Sequence, residues 1–284
     1  MGNLKNSAKK KRNINVSLVL GSILIFAVAA ICIVSFVFMP HDPTEMNTAI
    51  KFLKPGNNSE FLFGTDNFGR DILSRIMRGS RTVLLVGVVS TGVGAAVGIV
   101  LGACAGMRKG IVSTLIMRFV DGVMAFPGIL LAMMLVTVIG RGEKGSIIAI
   151  AIFIVPTFAR LVYSMVLDTE SMLFVKAAKS YGITNSRLFK NHYMPIMATR
   201  LITQFSSSIA HAIMIDTSLS FLGLGIQPPN ASWGLMLNES RQYFLMNPYL
   251  AVAPGVAIVF TVLGFNLLGD GLNDLLENRK GGKR

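Results

Sequence analysis

Between Arg12 and Asp42 the chain carries no charged side chain. Comparable stretches recur at 83–107, 115–139, 145–166, 199–222 and 248–270, each interrupted by at most two charges. The hydrocarbon core of a bilayer is about 30 Å thick, and a helix needs about 20 apolar residues to cross it. A backbone in lipid must satisfy its own hydrogen bonds, which leaves helices as the economical spanning form for runs of this length. Only 14% of the residues are charged, against about 25% in soluble domains. The pattern predicts an all-α integral membrane protein with six transmembrane helices.

Orientation follows from the basic residues. With the N-terminus inside, the inner segments hold Lys5, Lys9, Lys10, Lys11, Arg12, Arg108, Lys109, Arg118, Arg160, Lys176, Lys179, Arg187, Lys190, Arg200, Arg279, Lys280, Lys283 and Arg284, which is 18 of the 27 Lys and Arg. Positive charge concentrates on the cytoplasmic side, so both ends are expected inside. The expected organisation is a basic cytoplasmic tail at 1–15, a first anchor at 16–39, an extracytoplasmic segment at 40–82, a five-helix core at 83–270 containing a cytoplasmic loop at 167–198, and a cytoplasmic tail at 271–284. The start Lys9-Lys10-Lys11-Arg12 resembles a signal peptide. The apolar run behind it is too long and lacks a small-x-small site, so it reads as an uncleaved anchor.

The net charge of +13 has a topological cause on this reading. No basic stripe is interleaved with aromatics as a nucleic-acid surface requires. Cys32 and Cys104 lie in separate apolar runs with no second sulfur or histidine at ligand spacing, which argues against a disulfide or a zinc site. Gly2 lacks the Ser or Thr that myristoylation wants at position 6, where Asn6 stands. Gly140-Arg141-Gly142-Glu143-Lys144-Gly145-Ser146 has the wrong order for a phosphate loop, which needs Gly-Lys-Ser/Thr after a strand. His41, His192 and His211 are scattered. The sequence points away from an enzyme and offers no metal site.

Gly94, Gly98, Gly102 and Gly106 recur every four residues on the second run. Small residues at that spacing let two helix backbones approach closely, either within the chain or against a second membrane subunit. Pro127, Pro156 and Pro254 fall inside expected spans. Each removes a backbone donor, and the result is either a static kink or a bend lining a pathway. Arg118 and Asp121 are three apart on one helix face and are expected to pair. Asp216 lies deep in the fifth run, where an acid is costly and often functional; it is a candidate for pathway lining or gating, or for a structural hydrogen bond.

A polar island between runs is Phe174-Val175-Lys176-Ala177-Ala178-Lys179-Ser180-Tyr181-Gly182, continuing to His192-Tyr193-Met194-Pro195. A membrane protein that keeps a cationic, helix-prone segment on one side is expected to offer it to a soluble partner. Lys176-Ala177-Ala178, then Gly182, then His192 and Pro195 resembles the Glu-Ala-Ala loop of ABC importer permeases. Phe63-Gly64-Thr65-Asp66-Asn67-Phe68-Gly69-Arg70-Asp71 is similar to the outer segment of the peptide/nickel branch. Ser218 to Gly225 with Pro228-Pro229 and Ser232-Trp233-Gly234, and Phe265 to Leu272, resemble later segments of the same branch. The likeness covers about residues 60–275 and is to the C-type permease. Lys176 stands where the motif has glutamate, which leaves the role of that acid open here.

The resemblance implies an ABC type I importer permease fold, multi-pass in a bacterial cytoplasmic (inner) membrane. It implies a second homologous permease as heterodimer partner, two ATPase subunits and an extracytoplasmic substrate-binding protein. ATP and Mg would be bound by the ATPases, and this chain would carry no cofactor. The ATPase-coupling loop would comprise Lys176, Ala177, Ala178, Lys179, Gly182, Arg187, His192 and Pro195, with Ala177 and Ala178 forming a slim face that enters a groove. Peptide is the expected cargo, with nickel or a metallophore as the alternative. A secondary transporter driven by an ion gradient is a further alternative; it would call for inverted repeats and paired intramembrane charges, and no repeat is evident.

Overall fold

The computed structural model describes residues 15–108 and 110–281, with side chains up to Leu275. The expected tail at 1–15 therefore lies outside the described residues except for Asn15, as do Lys109 and the end of the tail from 282.

Ten α-helices follow one another, and no strand is present among the described residues: α1 Val16–Val37, α2 Ile72–Met107, α3 Ile111–Met124, α4 Gly128–Ile139, α5 Glu143–Glu170, α6 Leu173–Ser180, α7 Asn185–Leu188, α8 Met194–Phe221, α9 Trp233–Ser240 and α10 Tyr249–Gly281. A π-helical turn over Phe189–Tyr193 leads from α7 into α8. Asp71 starts α2 by accepting hydrogen bonds from the Leu73 and Ser74 amides, the usual work of an N-cap carboxylate. At 36 residues α2 is about 54 Å long, so it overreaches any bilayer core. Its first turns lie before the span expected to open at 83.

Four helices are long and apolar enough to cross a membrane: α1, α2, α5 and the Tyr249–Leu275 part of α10. The expected third span is not one continuous helix. It is broken into α3 and α4, which meet at 95°. Pro127 lacks an amide hydrogen and disfavours helix at the residue before it, and the chain leaves the helix at that point. The expected fifth span, now α8, is another departure. The helix is there and runs 28 residues, but Thr199, Gln204, Ser206, Ser207, Ser208, His211 and Asp216 take it out of the set of apolar spans. The six-span count thus rests on length in α8 and on a bent pair in α3–α4.

The helices pack around α2, α5 and α8. Gly94, Gly98, Gly102 and Gly106 face α5 successively at Ala151, Val155, Ala159 and Val166, so α2 and α5 run parallel. A Cβ on Gly94 would sit 2.7 Å from the Ala151 carbonyl oxygen, and one on Gly98 2.5 Å from that of Val155. The glycine ladder is therefore internal to the chain. On the other flank α1 lies antiparallel to α10, with Gly21 against Gly264 and Leu268, and Gly271 against Leu18. Asn15 fastens this pair by donating to the Gly271 carbonyl and to Asp274. Val86, Ile154, Phe158, Val162 and Met197 build one core around α2, α5 and α8, and Val28, Ile76, Ile213, Trp233 and Phe265 a second where α1, α9 and α10 meet α2 and α8.

Two ends of the bundle result. One gathers α9, the start of α2 and the 40–71 segment. The other gathers the ends of α2 and α5 with α6, α7 and the start of α8.

Candidate functional site

Four groups of polar residues stand out against this apolar frame, and they lie at different heights.

At the α9 end, the chain from Phe61 to Asp71 folds into a tight loop. Thr65 and Asp71 form an isolated antiparallel bridge, and the Asp66 carboxylate accepts from the Phe68 and Arg70 amides. The Arg70 Nε donates to Asp66 at 2.6 Å, and its Nη2 to Glu239 of α9 at 2.7 Å. Arg75 donates to the same Glu239 oxygen at 2.8 Å. Both arginines are only 1% exposed at the side chain. Buried charges persist only when paired and hydrogen-bonded, so this cluster fixes the loop and α9 against each other. Trp233 adds a donated bond to the Ile76 carbonyl at 3.0 Å, its ring lying where a Cβ on Gly79 would be. Sequence reasoning singled out the loop only as a likeness. The arginines were missed because their acid partner, Glu239, lies more than 160 residues away.

At the other end, Ser171 and Met172 join α6 to α5. Val175 and Ala178 face the chain, while Leu173, Phe174, Lys176, Ala177, Lys179 and Tyr181 face out. The expected pair of docking alanines is thereby split: Ala177 is available to a partner, and Ala178 is packed inside. Gly182 ends the helix at φ +73°. Its amide donates to the Lys179 carbonyl and that of Ile183 to the Ala178 carbonyl, the paired bonds of a Schellman cap. Lys179 pairs with Glu170 at 2.7 Å. Arg187 and Lys190 are exposed on the next turn. The His192 ring stands 6.1 Å from that of Phe174, and Pro195 lies in the first turn of α8. Burial raises the Tyr193 phenol above its ordinary range, with Lys179 pulling it down. It therefore stays protonated near neutral pH. All eight residues expected for the coupling loop belong to this one end.

Asp216 lies near the α9 end of α8, buried, with the Ser146 hydroxyl of α5 facing it. The geometry falls outside hydrogen bonding, so both carboxylate oxygens and the Ser146 Oγ stand without a partner. Pro156 is buried in mid-α5 without breaking it.

The fourth group corrects an expected pair. Asp121 does not engage Arg118. Its Oδ1 accepts from the Arg160 Nη2 at 2.6 Å, across from α3 to α5. Both side chains are about half exposed, at 49% and 50%. The i, i+3 spacing offered a neighbour on the same helix; the structure pairs Asp121 with α5 instead.

Comparisons with known proteins agree with this picture. Residues 98–282 match the family described as "Binding-protein-dependent transport system inner membrane component". A protein named "Glutathione transport system permease protein GsiD" from Pectobacterium atrosepticum is 42% identical over 239 residues, covering 84% of this chain and 79% of that protein. The protein of the same name from Escherichia coli O6:K15:H31 is 43% identical over 225 residues, covering 79% and 74%. Among solved structures, an inward-facing MetNI methionine ABC transporter chain superposes with a TM-score of 0.59 at 17% identity, over 71% of this chain and 95% of that one. At that identity the likeness is one of fold.

Proposed function

Because this chain belongs to the family of binding-protein-dependent transport system inner membrane components, in its peptide/nickel branch of ABC importer permeases, we propose that it forms half of the translocation pathway of an ATP-driven peptide importer. It is a multi-pass membrane permease subunit and not an enzyme. A second, homologous permease completes the pathway, two ATPase subunits bind and hydrolyse ATP with Mg, and an extracytoplasmic protein delivers cargo. The membrane is the bacterial cytoplasmic one. Both termini and α6 face the cytoplasm, and α9 with the 40–71 segment faces outward.

The observation that carries this reading is α6. It is a short helix with Lys176, Ala177, Lys179 and the fully presented Tyr181 and Leu173 pointing away from the chain, on a two-residue tether. A helix seated in a partner's groove transmits rigid-body motion, since it has few soft internal degrees of freedom. Lys176, Lys179, Arg187 and Lys190 suit an acidic rim around that groove. Asp216 of α8 and Ser146 of α5 face each other without a hydrogen bond, a contact free to open as these helices separate, and the Pro127 break lets α3 and α4 move apart. The relatives named for glutathione, a tripeptide, favour peptide over nickel or a metallophore.

The test is co-purification of the tagged chain from its native membrane followed by reconstitution. The reading expects two ATPase subunits and a second permease in the complex, and ATP-dependent uptake of glutathione or a dipeptide. A complex without ATPases, or uptake driven by an ion gradient in the absence of ATP, would overturn it.

A further inference from the structure

Asn185 begins a rod that runs without a break to Phe221. α7, the π-helical turn over Phe189–Tyr193 and α8 are consecutive, and Leu188, Phe189, Tyr193 and Met194 at the two joints all keep right-handed helical backbone. The Met194 amide donates to the Phe189 carbonyl, five residues back, where an α-helix reaches back four. Such a turn holds one residue more than an α-turn and often marks a functional site. The buried positions record the extra residue. Leu188, Tyr193, Met197 and Leu201 all pack into the core around α2, α5 and α8, at steps of five, four and four. In an α-helix a step of four rotates about 40° and a step of five about 140°. The widened turn is what keeps Leu188 and Tyr193 on one face. Pro195 helps hold it open: it has no amide for the Asn191 carbonyl, and in α-geometry its ring would crowd that carbonyl.

The segment bearing α6 and α7 is thus held between two rods, α5 at one end and α8 at the other. With α6 seated on a partner, any change in the angle between α5 and α8 has to be taken up at one of these ends. The α5 end is braced. The Met172 amide donates to the Thr169 carbonyl, the Val175 and Lys176 amides donate to the Met172 carbonyl, and Lys179 pairs with Glu170 across the joint at 2.7 Å. The α8 end has a widened ladder and a missing amide within two residues of each other, and long helices bend at such places. We propose that the Phe189–Tyr193 turn, held open by Pro195, is the pivot on which α8 tilts against the α5–α6 unit during transport. This pivot rests on the importer reading above. Asn191 lies inside the turn, and its removal brings Leu188 and Tyr193 to a step of four. A plain α-helix then satisfies both buried side chains, so the joint stiffens while its packing is kept.

The experiment uses the complete importer with its binding protein in proteoliposomes. Deletion of Asn191 is expected to leave the ATPase subunits bound and ATP hydrolysis running while uptake falls severalfold. Asn191→Ala keeps the residue count and is expected to match wild type. Pulsed electron spin resonance reads the pivot directly, with labels at Ser186→Cys on α7 and Arg200→Cys on α8 in a chain carrying Cys32→Ala and Cys104→Ala. The labelled complex is expected to give different distances with and without trapped ATP, and the deletion variant the same distance in both states. Wild-type uptake by the deletion variant, an equal loss of uptake in Asn191→Ala, or one unchanged distance in the labelled complex would each overturn the pivot while leaving the importer standing. Should the deletion variant fail to fold, the distances in the undeleted chain decide alone. A chain that recruits no ATPase subunits defeats the importer reading itself, and the pivot with it.

Discussion

Gly98 has room for a hydrogen and nothing larger. A methyl there would meet the Val155 carbonyl oxygen at 2.5 Å and the Phe158 Cβ at 2.7 Å, both parts of a packed helix. Gly98→Ala is expected to force α2 from α5 at a cost of about 1–3 kcal/mol, seen as a lowered Tm of the detergent-purified protein. Gly92, with open space around its position, is the matched control and should tolerate alanine. The spacing of the four glycines announced close packing on its own, because small-xxx-small needs no more than one helix to be recognised. Which helix would fill the groove was not legible, since the α5 positions that do so, such as Ala151 and Ala159, look like any other apolar residue. The same limit hid the arginine cluster. Glu239 touches both Arg70 and Arg75, so Glu239→Ala leaves two buried guanidiniums short of an acceptor. Breaking a buried pair from one side costs about 3–5 kcal/mol, and the Tm should fall accordingly. A double variant, Arg75→Met with Glu239→Leu, should recover part of the loss.

At the scale of elements, α6 depends on how it ends. Gly182 has a left-handed backbone at φ +73° that other residues adopt at a cost. Gly182→Val should fray the cap and lower ATP-driven uptake several-fold while the ATPase subunits stay bound, which reconstitution and co-purification would report together. Retention of full uptake would count against α6 as the coupling element. Ala177→Trp and Ala178→Trp should differ in kind: the first blocks docking with the fold intact, while the second unseats α6, whose Val175 and Ala178 pack on the chain, and lowers Tm as well. The helix, its terminating glycine and its cationic character were all readable from residues 174–182. Its orientation was not, because an alanine pair has no polar side to mark. The break in the expected third span was hidden for a different reason. Pro127 was seen, but a proline in a sequence does not say whether a helix bends by a few degrees or by 95°; neighbours decide, and Gly128 seats directly against the Phe153 ring. In α8 the polar residues are bought out by packing at the centre of the bundle, Ser206 for instance donating to the Phe265 carbonyl of α10.

For the whole molecule, the α9 ends of α5 and α8 meet at Ser146 and Asp216, whose oxygens lack partners. Asp216→Asn supplies a donor to that contact. It is expected to tighten it, slowing uptake with little change in KM; equal rates in the two proteins would make Asp216 a packing residue. Asp216→Leu should raise Tm, as removal of an unsatisfied buried acid relieves its desolvation. The parallel union of α2 and α5 has a mechanical corollary. Fused along the glycine seam from Gly94 to Gly106, the two rods resist shear as a single girder, stiffer than either alone. One extremity carries the tether of α6, and the other carries the Asp71 cap with the Arg75 anchorage to α9. A nudge of a few ångströms delivered at the tether meets little give along that seam. On the importer reading proposed above, it would re-emerge, tens of ångströms off, as a tilt of the α9 end.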